Sequence, residues 1–373
     1  MRFGRDRAES LAFADAVGND KSILCMTTLS AIINVTNLPG LVLVLIIAGG
    51  LCFLMVGGDW LCRGAASLAI RLSIPPVVVG LTVVSIATSM PELFTAMVGV
   101  IRDQPGLAIG NVIGSNAANM GLILGSAALI TPITVHYRLI RWEVPILLGV
   151  TVLFAVFIYT GSGISRFGGI ALIVITVGYL LFIVKTSRKS NIDKEIEEEI
   201  PSPIQNIWIC LGFVALGTFL LWLGADLLVE AATEAALRMG VNETLVGITV
   251  VAIGTSLPEL GATIAAAVRK QSGIIVGNII GSNLFNLMLI CGVVGTILPF
   301  PVDPLLMRVE IPMLIAFTGI FAWFVVSHRT VSRVEGGLLI ALYATFVVVS
   351  SISQTGGFTD EAQEGEIIVE SLP

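Results

Sequence analysis

Residues 85–119 read SIATSMPELFTAMVGVIRDQPGLAIGNVIGSNAAN, and residues 252–286 read AIGTSLPELGATIAAAVRKQSGIIVGNIIGSNLFN. The second stretch repeats the first. Thr88 matches Thr255, Ser89 matches Ser256, Pro91 matches Pro258 and Glu92 matches Glu259. Further on, Asn111 matches Asn278, Ser115 matches Ser282 and Asn119 matches Asn286. Every pair is offset by 167 residues, so neither copy carries an insertion or deletion relative to the other. Both copies sit in apolar sequence, yet each holds a carboxylate, hydroxyls and amides in fixed register. A chain built this way is constrained to fold as two like halves whose polar residues meet.

The surroundings decide the solvent. Only 12% of the 373 residues are charged and 55% are hydrophobic, whereas a soluble domain carries roughly 25% charged residues. The chain therefore reads as an all-α polytopic membrane protein. Apolar segments of about the ~20 residues needed to cross hydrocarbon lie near 41–71, 76–100, 106–130, 143–160 and 167–185. The plan recurs near 205–238, 244–268, 274–298, 309–327 and 334–352. The expectation is ten transmembrane helices as two inverted-topology repeats of five: residues 39–185 and 205–352. An odd number of spans per half makes the second half enter the membrane in the opposite orientation. Between them, residues 186–204 are rich in Lys, Glu and Pro and read as a cytoplasmic charged linker; residues 353–373 form an acidic C-terminal tail.

Basic residues support that orientation. With the linker in the cytoplasm, eleven Lys and Arg at span ends fall on its side and four on the other, as the positive-inside rule requires. The N-terminal extension, residues 1–38, carries Arg2, Arg5, Arg7 and Lys21. If residues 22–37 form an extra membrane segment, these four join the cytoplasmic side; otherwise they lie opposite.

The motif chemistry points to a hard cation. Pro91 and Pro258 have no N–H and clash with the carbonyls of Ala87 and Gly254, so each helix is expected to break just before the proline. Carbonyls freed there need a partner. Thr88, Ser89 and Glu92 lie within about one helical turn of one another, as do Thr255, Ser256 and Glu259. Asn111, Ser115 and Asn119 recur every four residues along one helix face. Carboxylate, hydroxyl and carbonyl oxygens suit Ca²⁺ and Na⁺ rather than soft metals. The two glutamates match the charge of one divalent ion, and the pair also suits proton exchange. Gly110–Gly114 and Gly277–Gly281 are GxxxG pairs that let helices approach closely. Asn111 and Asn278 serve either the ion or the broken backbone beside them.

Other features read as structural. Cys25, Cys52, Cys62, Cys210 and Cys291 are scattered without CxxC spacing and read as thiols in apolar surroundings. His136 and His328 sit beside Arg near span ends and read as interfacial groups, not metal ligands. Asp59 and Asp226, again 167 apart, read either as site residues or as partners of neighbouring cations. No basic patch with interleaved aromatics suggests nucleic acid. A channel using the same oxygens ordinarily assembles from several subunits, whereas one chain here supplies both halves, so a monomer suffices. No nucleophile–base arrangement or cofactor motif points to an enzyme.

TSMPE with GNVIGSNAAN, and GTSLPE with GNIIGSNLFN, resemble the two alpha-repeats of the sodium/calcium exchangers in the cation/calcium antiporter superfamily. The resemblance spans residues 40–352. It implies a multi-pass protein of a prokaryotic plasma or inner membrane that exchanges Na⁺ for Ca²⁺ by alternating access. The alternative is a proton-coupled calcium or other divalent cation antiporter, with no cofactor in either case. The implied ligand side chains are Thr88, Ser89, Glu92, Ser115 and Asn119, then Thr255, Ser256, Glu259, Ser282 and Asn286. Ser85 and Ala252 fall where the family offers backbone carbonyls. Several prokaryotic members and the potassium-dependent exchangers carry Asp at the position of Asn286, so this chain resembles a form without potassium coupling and with one carboxylate fewer. Proton-coupled calcium exchangers resemble a different pattern, with Glu in GNxxE; Gly114 and Gly281 stand there, which favours sodium.

Overall fold

The computed structural model describes residues 38–72, 76–101, 105–161, 163–187, 204–239 and 252–354. The N-terminal extension up to residue 37, residues 188–203 of the linker and the tail from residue 355 lie outside the described residues.

Two helices of 32 residues open the two halves: α1 (Gly40–Arg71) follows Pro39, and α7 (Ile207–Arg238) follows the linker. At 1.5 Å per residue each is about 48 Å long, more than the ~30 Å of hydrocarbon. Glycines bring the two together. A Cβ on Gly57 would lie 2.8 Å from the Gly217 carbonyl oxygen, one on Gly50 2.8 Å from that of Gly224, and one on Gly64 2.8 Å from that of Cys210. As one number rises the other falls, so α1 and α7 run antiparallel. The contacts recur every seven residues, the spacing of two helical turns. A Cβ on Gly58 would meet the Gly261 carbonyl at 2.6 Å, which seats α1 on the second motif's helix as well.

Short helices carry the motifs. α2 (residues 76–88) has a π-turn at Gly80–Val84 and leads into α3 (Met90–Ile101) across a 41° bend at Ser89. In the second half, α8 (Ala252–Gly254) stops at Thr255–Ser256 and α9 (Leu257–Val268) begins. Both breaks fall just before the prolines, where the backbone bond to the preceding turn is missing. α4 (residues 105–130) and α10 (Ser272–Ile297) cross the centre. Each switches from α to π at an asparagine, α4 at Asn119–Ile123 and α10 at Asn286–Ile290. Such π-turns are rare and recur at functional sites.

The remaining helices enclose this centre. They are α5 (Leu139–Gly161), α6 (Arg166–Ser187), α11 (Pro304–Arg308), α12 (Glu310–His328) and α13 (Arg333–Gln354). The apolar window of α10 is 94% buried and that of α4 72%, against 22–44% for the six outer spans. Outer helices turn Phe167, Trp208 and Trp323 outward, as a lipid-facing surface demands.

Two short ladders join the halves. β1 (Ile133–Thr134) pairs with β4 (Thr330–Val331), and β2 (Gly163–Ile164) pairs with β3 (Phe300–Pro301), both antiparallel. Under the 167-residue offset β1 becomes β3 and β2 becomes β4, so the two pairings exchange. Gly163 has φ +150°, and a Cβ there would lie 2.3 Å from the Phe300 carbonyl oxygen, so the position demands glycine. After these strands Ser165 and Ser332 cap α6 and α13. Gly168 N–H donates to Ser165 Oγ at 3.1 Å and Glu335 N–H to Ser332 Oγ at 3.3 Å, while Ser332 N–H returns to Glu335 Oε2 at 2.7 Å. The second is a capping box.

Eight described helices are long and apolar enough to cross a membrane, and the bent pair α2–α3 makes a ninth. The expected tenth span ends in α9; residues 240–251, which would begin it, lie outside the described residues.

Candidate cation site

Glu92 lies in the first turn of α3 and Glu259 in the first turn of α9. A helix N-terminus favours negative charge, and the breaks place both N-termini deep in the protein. Both carboxylates are fully buried, and each acts within reach of the other half. Ser89 Oγ donates to Glu259 Oε1 at 3.1 Å, and Thr88 stands beside the same carboxylate. Ser256 stands beside Glu92, which also feels the charge of Glu259; its hydroxyl donates to Ser115 Oγ at 3.2 Å. Each half's serine thus faces the other half's glutamate.

The amides follow the same exchange. Thr88 Oγ1 lies 3.5 Å from Asn278 Oδ1, and Thr255 Oγ1 3.1 Å from Asn111 Oδ1. Asn111 Nδ2 donates to the Glu92 backbone carbonyl at 3.3 Å, whereas Asn278 Nδ2 donates to Thr263 Oγ1 at 3.3 Å. Between α4 and α10, Asn119 Nδ2 donates to Asn283 Oδ1 at 3.5 Å and Asn286 Nδ2 to Asn116 Oδ1 at 3.4 Å. All four of these asparagines are buried.

What is left over is a set of oxygens. Glu92 Oε1 and Oε2, Glu259 Oε2, Asn119 Oδ1, Asn286 Oδ1 and Ser282 Oγ are buried without a hydrogen-bond partner among the described residues. A buried acceptor left unpaired costs roughly 1–3 kcal/mol. Six such oxygens of hard-ligand type, drawn from both halves, suit a cation of the kind that takes six to eight oxygen ligands.

Of the residues expected from the sequence, Thr88, Ser89, Glu92, Ser115, Thr255, Ser256 and Glu259 lie in the contacts around the two glutamates, Asn119 and Asn286 lie in those between α4 and α10, and Ser282 is buried on α10. The Ser85 hydroxyl turns to the Gly80 carbonyl at 2.6 Å and the Asn278 carbonyl at 3.1 Å, and its own carbonyl accepts the Ser89 N–H at 3.0 Å. Ala252 opens α8. The second glycine pair packs: a Cβ on Gly277 would lie 2.6 Å from the Val77 carbonyl, and one on Gly281 2.8 Å from that of Leu81. The matching neighbours of Gly110 and Gly114 fall at 244 and 248, outside the described residues. Asp59 is bound outside the site, to Arg63 at 3.0 Å and to Arg269.

Sequence reasoning passed over Asn116 and Asn283. Their signal was the S-N-x-x-N spacing, which sets each one turn before Asn119 or Asn286. It also passed over a second duplicated acid. Glu143 and Glu310, again 167 apart, are buried in α5 and α12, where Tyr179 donates to Glu143 Oε2 at 2.9 Å and Ser350 to Glu310 Oε1 at 2.5 Å.

Residues 42–185 and 202–352 match the sequence profile of the family described as "Sodium/calcium exchanger protein". The chain belongs to the sodium/calcium exchanger family. This exchanger is 31% identical over 340 residues to the sodium/calcium exchanger MaX1 of Methanosarcina acetivorans, covering 82% of this chain and 97% of that one. It is 36% identical over 283 residues to the inner membrane protein YrbG of Escherichia coli, covering 73% of this chain and 85% of the relative. Among solved structures it resembles the sodium-calcium exchanger NCX_Mj soaked with 10 mM Na⁺ and 10 mM Sr²⁺. The TM-score is 0.72 at 31% identity, covering 83% of this chain and 99% of the other. The exchanger is thus a membrane protein of a cation/calcium antiporter family, whose relatives are transporters.

Proposed function

We propose that this chain is a secondary antiporter that exchanges Na⁺ for Ca²⁺ by alternating access. The reading rests on one observation: six buried oxygens without a hydrogen-bond partner among the described residues come from the motifs of two halves whose contacts exchange under a single offset. Ca²⁺ is held between Glu92 and Glu259, with Thr88, Ser89, Thr255, Ser256, Ser115, Ser282, Asn119 and Asn286 supplying neutral oxygens. Na⁺ uses an overlapping set. The antiparallel α1 and α7 support ten spans in two inverted halves, and these two helices move against the central bundle to open the site to one side at a time. Coupling follows because the two cargoes compete for the same carboxylates. Two uncompensated charges do not cross an apolar barrier, since burying them unpaired is expensive.

The test is counterflow in proteoliposomes. An outward sodium gradient is expected to drive ⁴⁵Ca²⁺ uptake, and Glu92→Gln or Glu259→Gln to abolish it in protein that still elutes as a single species. Uptake that follows a pH gradient and ignores sodium replaces Na⁺ with protons as the coupling ion.

A further inference from the structure

We infer that Thr263 is a positioning residue of the cation site: through the amide of Asn278 it sets which way the Thr88 hydroxyl faces. The inference rests on the site proposed above and adds a residue that lies outside its ligand set. The two halves agree at every ligand side chain, yet one turn after each glutamate they part. The first half has Ala96 there, on α3, and the second has Thr263, on α9. Both are buried. That difference changes how the neighbouring amide is held. Asn111 Nδ2 donates to the Glu92 backbone carbonyl at 3.3 Å, an acceptor supplied by the main chain. Asn278 Nδ2 donates instead to a side chain, Thr263 Oγ1, at 3.3 Å. Each amide then turns its oxygen to a threonine of the other half. Asn111 Oδ1 lies 3.1 Å from Thr255 Oγ1, and Asn278 Oδ1 lies 3.5 Å from Thr88 Oγ1.

The direction of the amide matters to a cation. A hydroxyl has one proton to give and two lone pairs. It ligates a cation when its lone pairs face the ion and its proton goes to another acceptor. Thr88 is buried beside the Glu259 carboxylate, and its other acceptors include the Val84 carbonyl at 3.1 Å and Asn278 Oδ1. The two arms of an amide have nearly the same shape but opposite hydrogen-bonding roles. An Asn278 nitrogen without a partner is satisfied by swapping the arms, which points an N–H at Thr88 Oγ1. That bond occupies a lone pair the cation needs. Thr263 gives the nitrogen its partner and so leaves the amide oxygen for the Thr88 proton. Supports that orient a ligand in this way ordinarily carry a 10–100-fold share of metal affinity.

The experiment measures KM and kcat for sodium-driven ⁴⁵Ca²⁺ uptake into proteoliposomes holding the full chain with Thr263→Ser, Thr263→Ala or Thr263→Val. Thr263→Ser keeps the hydroxyl and is expected to retain most of the affinity for Ca²⁺. Thr263→Val keeps the volume but leaves the Asn278 nitrogen against a methyl group. Its KM is expected to rise by about tenfold or more, with a smaller effect on kcat. Thr263→Ala makes the second half like the first, so Asn278 can take the Glu259 backbone carbonyl as Asn111 takes that of Glu92. Its KM is expected to fall between the other two. A packing role predicts the reverse order, because Val fills the space and Ala leaves a cavity. In an Asn278→Ala background Thr263→Val is expected to add little. The inference is overturned by a Thr263→Val variant with wild-type KM, by Thr263→Ala worse than Thr263→Val, or by additive effects in the double variant. Asn278→Ala alone is expected to raise KM likewise, and an unchanged KM there overturns the inference even if Thr263→Val does not elute as a single species. Where uptake follows a pH gradient instead of sodium, the same series is read under that gradient, so the coupling ion and the role of Thr263 fail separately. Calcium uptake under neither gradient sinks the antiport reading and the inference with it.

Discussion

Asn116 and Asn283 have the amide geometry of orienting groups. Each accepts the Nδ2 of an asparagine from the other half, and that leaves Asn286 Oδ1 and Asn119 Oδ1 aimed away from the bond. Removing such a support ordinarily weakens metal binding 10–100-fold. Asn116→Ala is expected to raise the KM for Ca²⁺ by about tenfold or more with a smaller effect on kcat, and Asn283→Ala to do likewise. In an Asn286→Ala background Asn116→Ala should add little, since the bond it serves is already gone; additive effects would place Asn116 outside this role. These two residues were legible only in part. The spacing of Asn111, Ser115 and Asn119 drew attention to one helix face, and a helix drawn with 3.6 residues per turn puts Asn116 off that face. The π-turn begins only at Asn119; Asn116 lies one ordinary turn before it, and its use depends on Asn286 across the halves, which residue periodicity does not encode. The glutamates, by contrast, were legible from composition alone, because a carboxylate inside a membrane span is rare and costly.

At the scale of the element, the α1–α7 seam is set by backbone approach rather than by side chains. A side chain at Gly57 or Gly217 must displace the facing carbonyl. Overpacking of this kind costs about 1–3 kcal/mol, so Gly57→Ala and Gly217→Ala are expected to lower the Tm of the detergent-solubilised protein. Gly212→Ala on the same helix α7 has nothing within 4 Å of the new methyl and should leave Tm unchanged. An ion pair fastens the seam to the bundle: Asp59 of α1 accepts from Arg269 Nε at 2.9 Å, just past the end of α9. Asp59→Arg should slow sodium-driven calcium uptake, and Asp59→Arg with Arg269→Asp should restore it; a double variant no better than the single one would make the pair incidental. The sequence pointed to Asp59 as duplicated and intramembrane, but its partner is 210 residues away. Such a distance is closed by the packing of α1 on α9 at Gly58 and Gly261, which a one-dimensional pattern does not encode.

At the scale of the whole molecule, the fold was legible wherever the 167-residue offset could be applied. Helix lengths, the position of the breaks and the pairing of halves all follow from it. The offset predicts which elements are equivalent, yet equivalence is not contact. That β1 would pair with β4 and not with its own equivalent β3 depended on how the halves interlock. Those two ladders have a mechanical meaning. They stand at opposite ends of α5, a 23-residue helix, and so about 35 Å apart, and each stitches one half to the other. A body pinned at top and bottom cannot open like a jaw. In the mechanism proposed above, the central bundle is the fixed window frame and the α1–α7 pair the shutter that slides across it. Cysteines at the facing pair Ile133 and Val331, close enough for a disulfide, should leave transport at full rate when oxidised. Cysteines at Leu54 and Gly261, whose Cβ atoms would lie 3.6 Å apart as a disulfide requires, lock shutter to frame and should stop it until reductant is added.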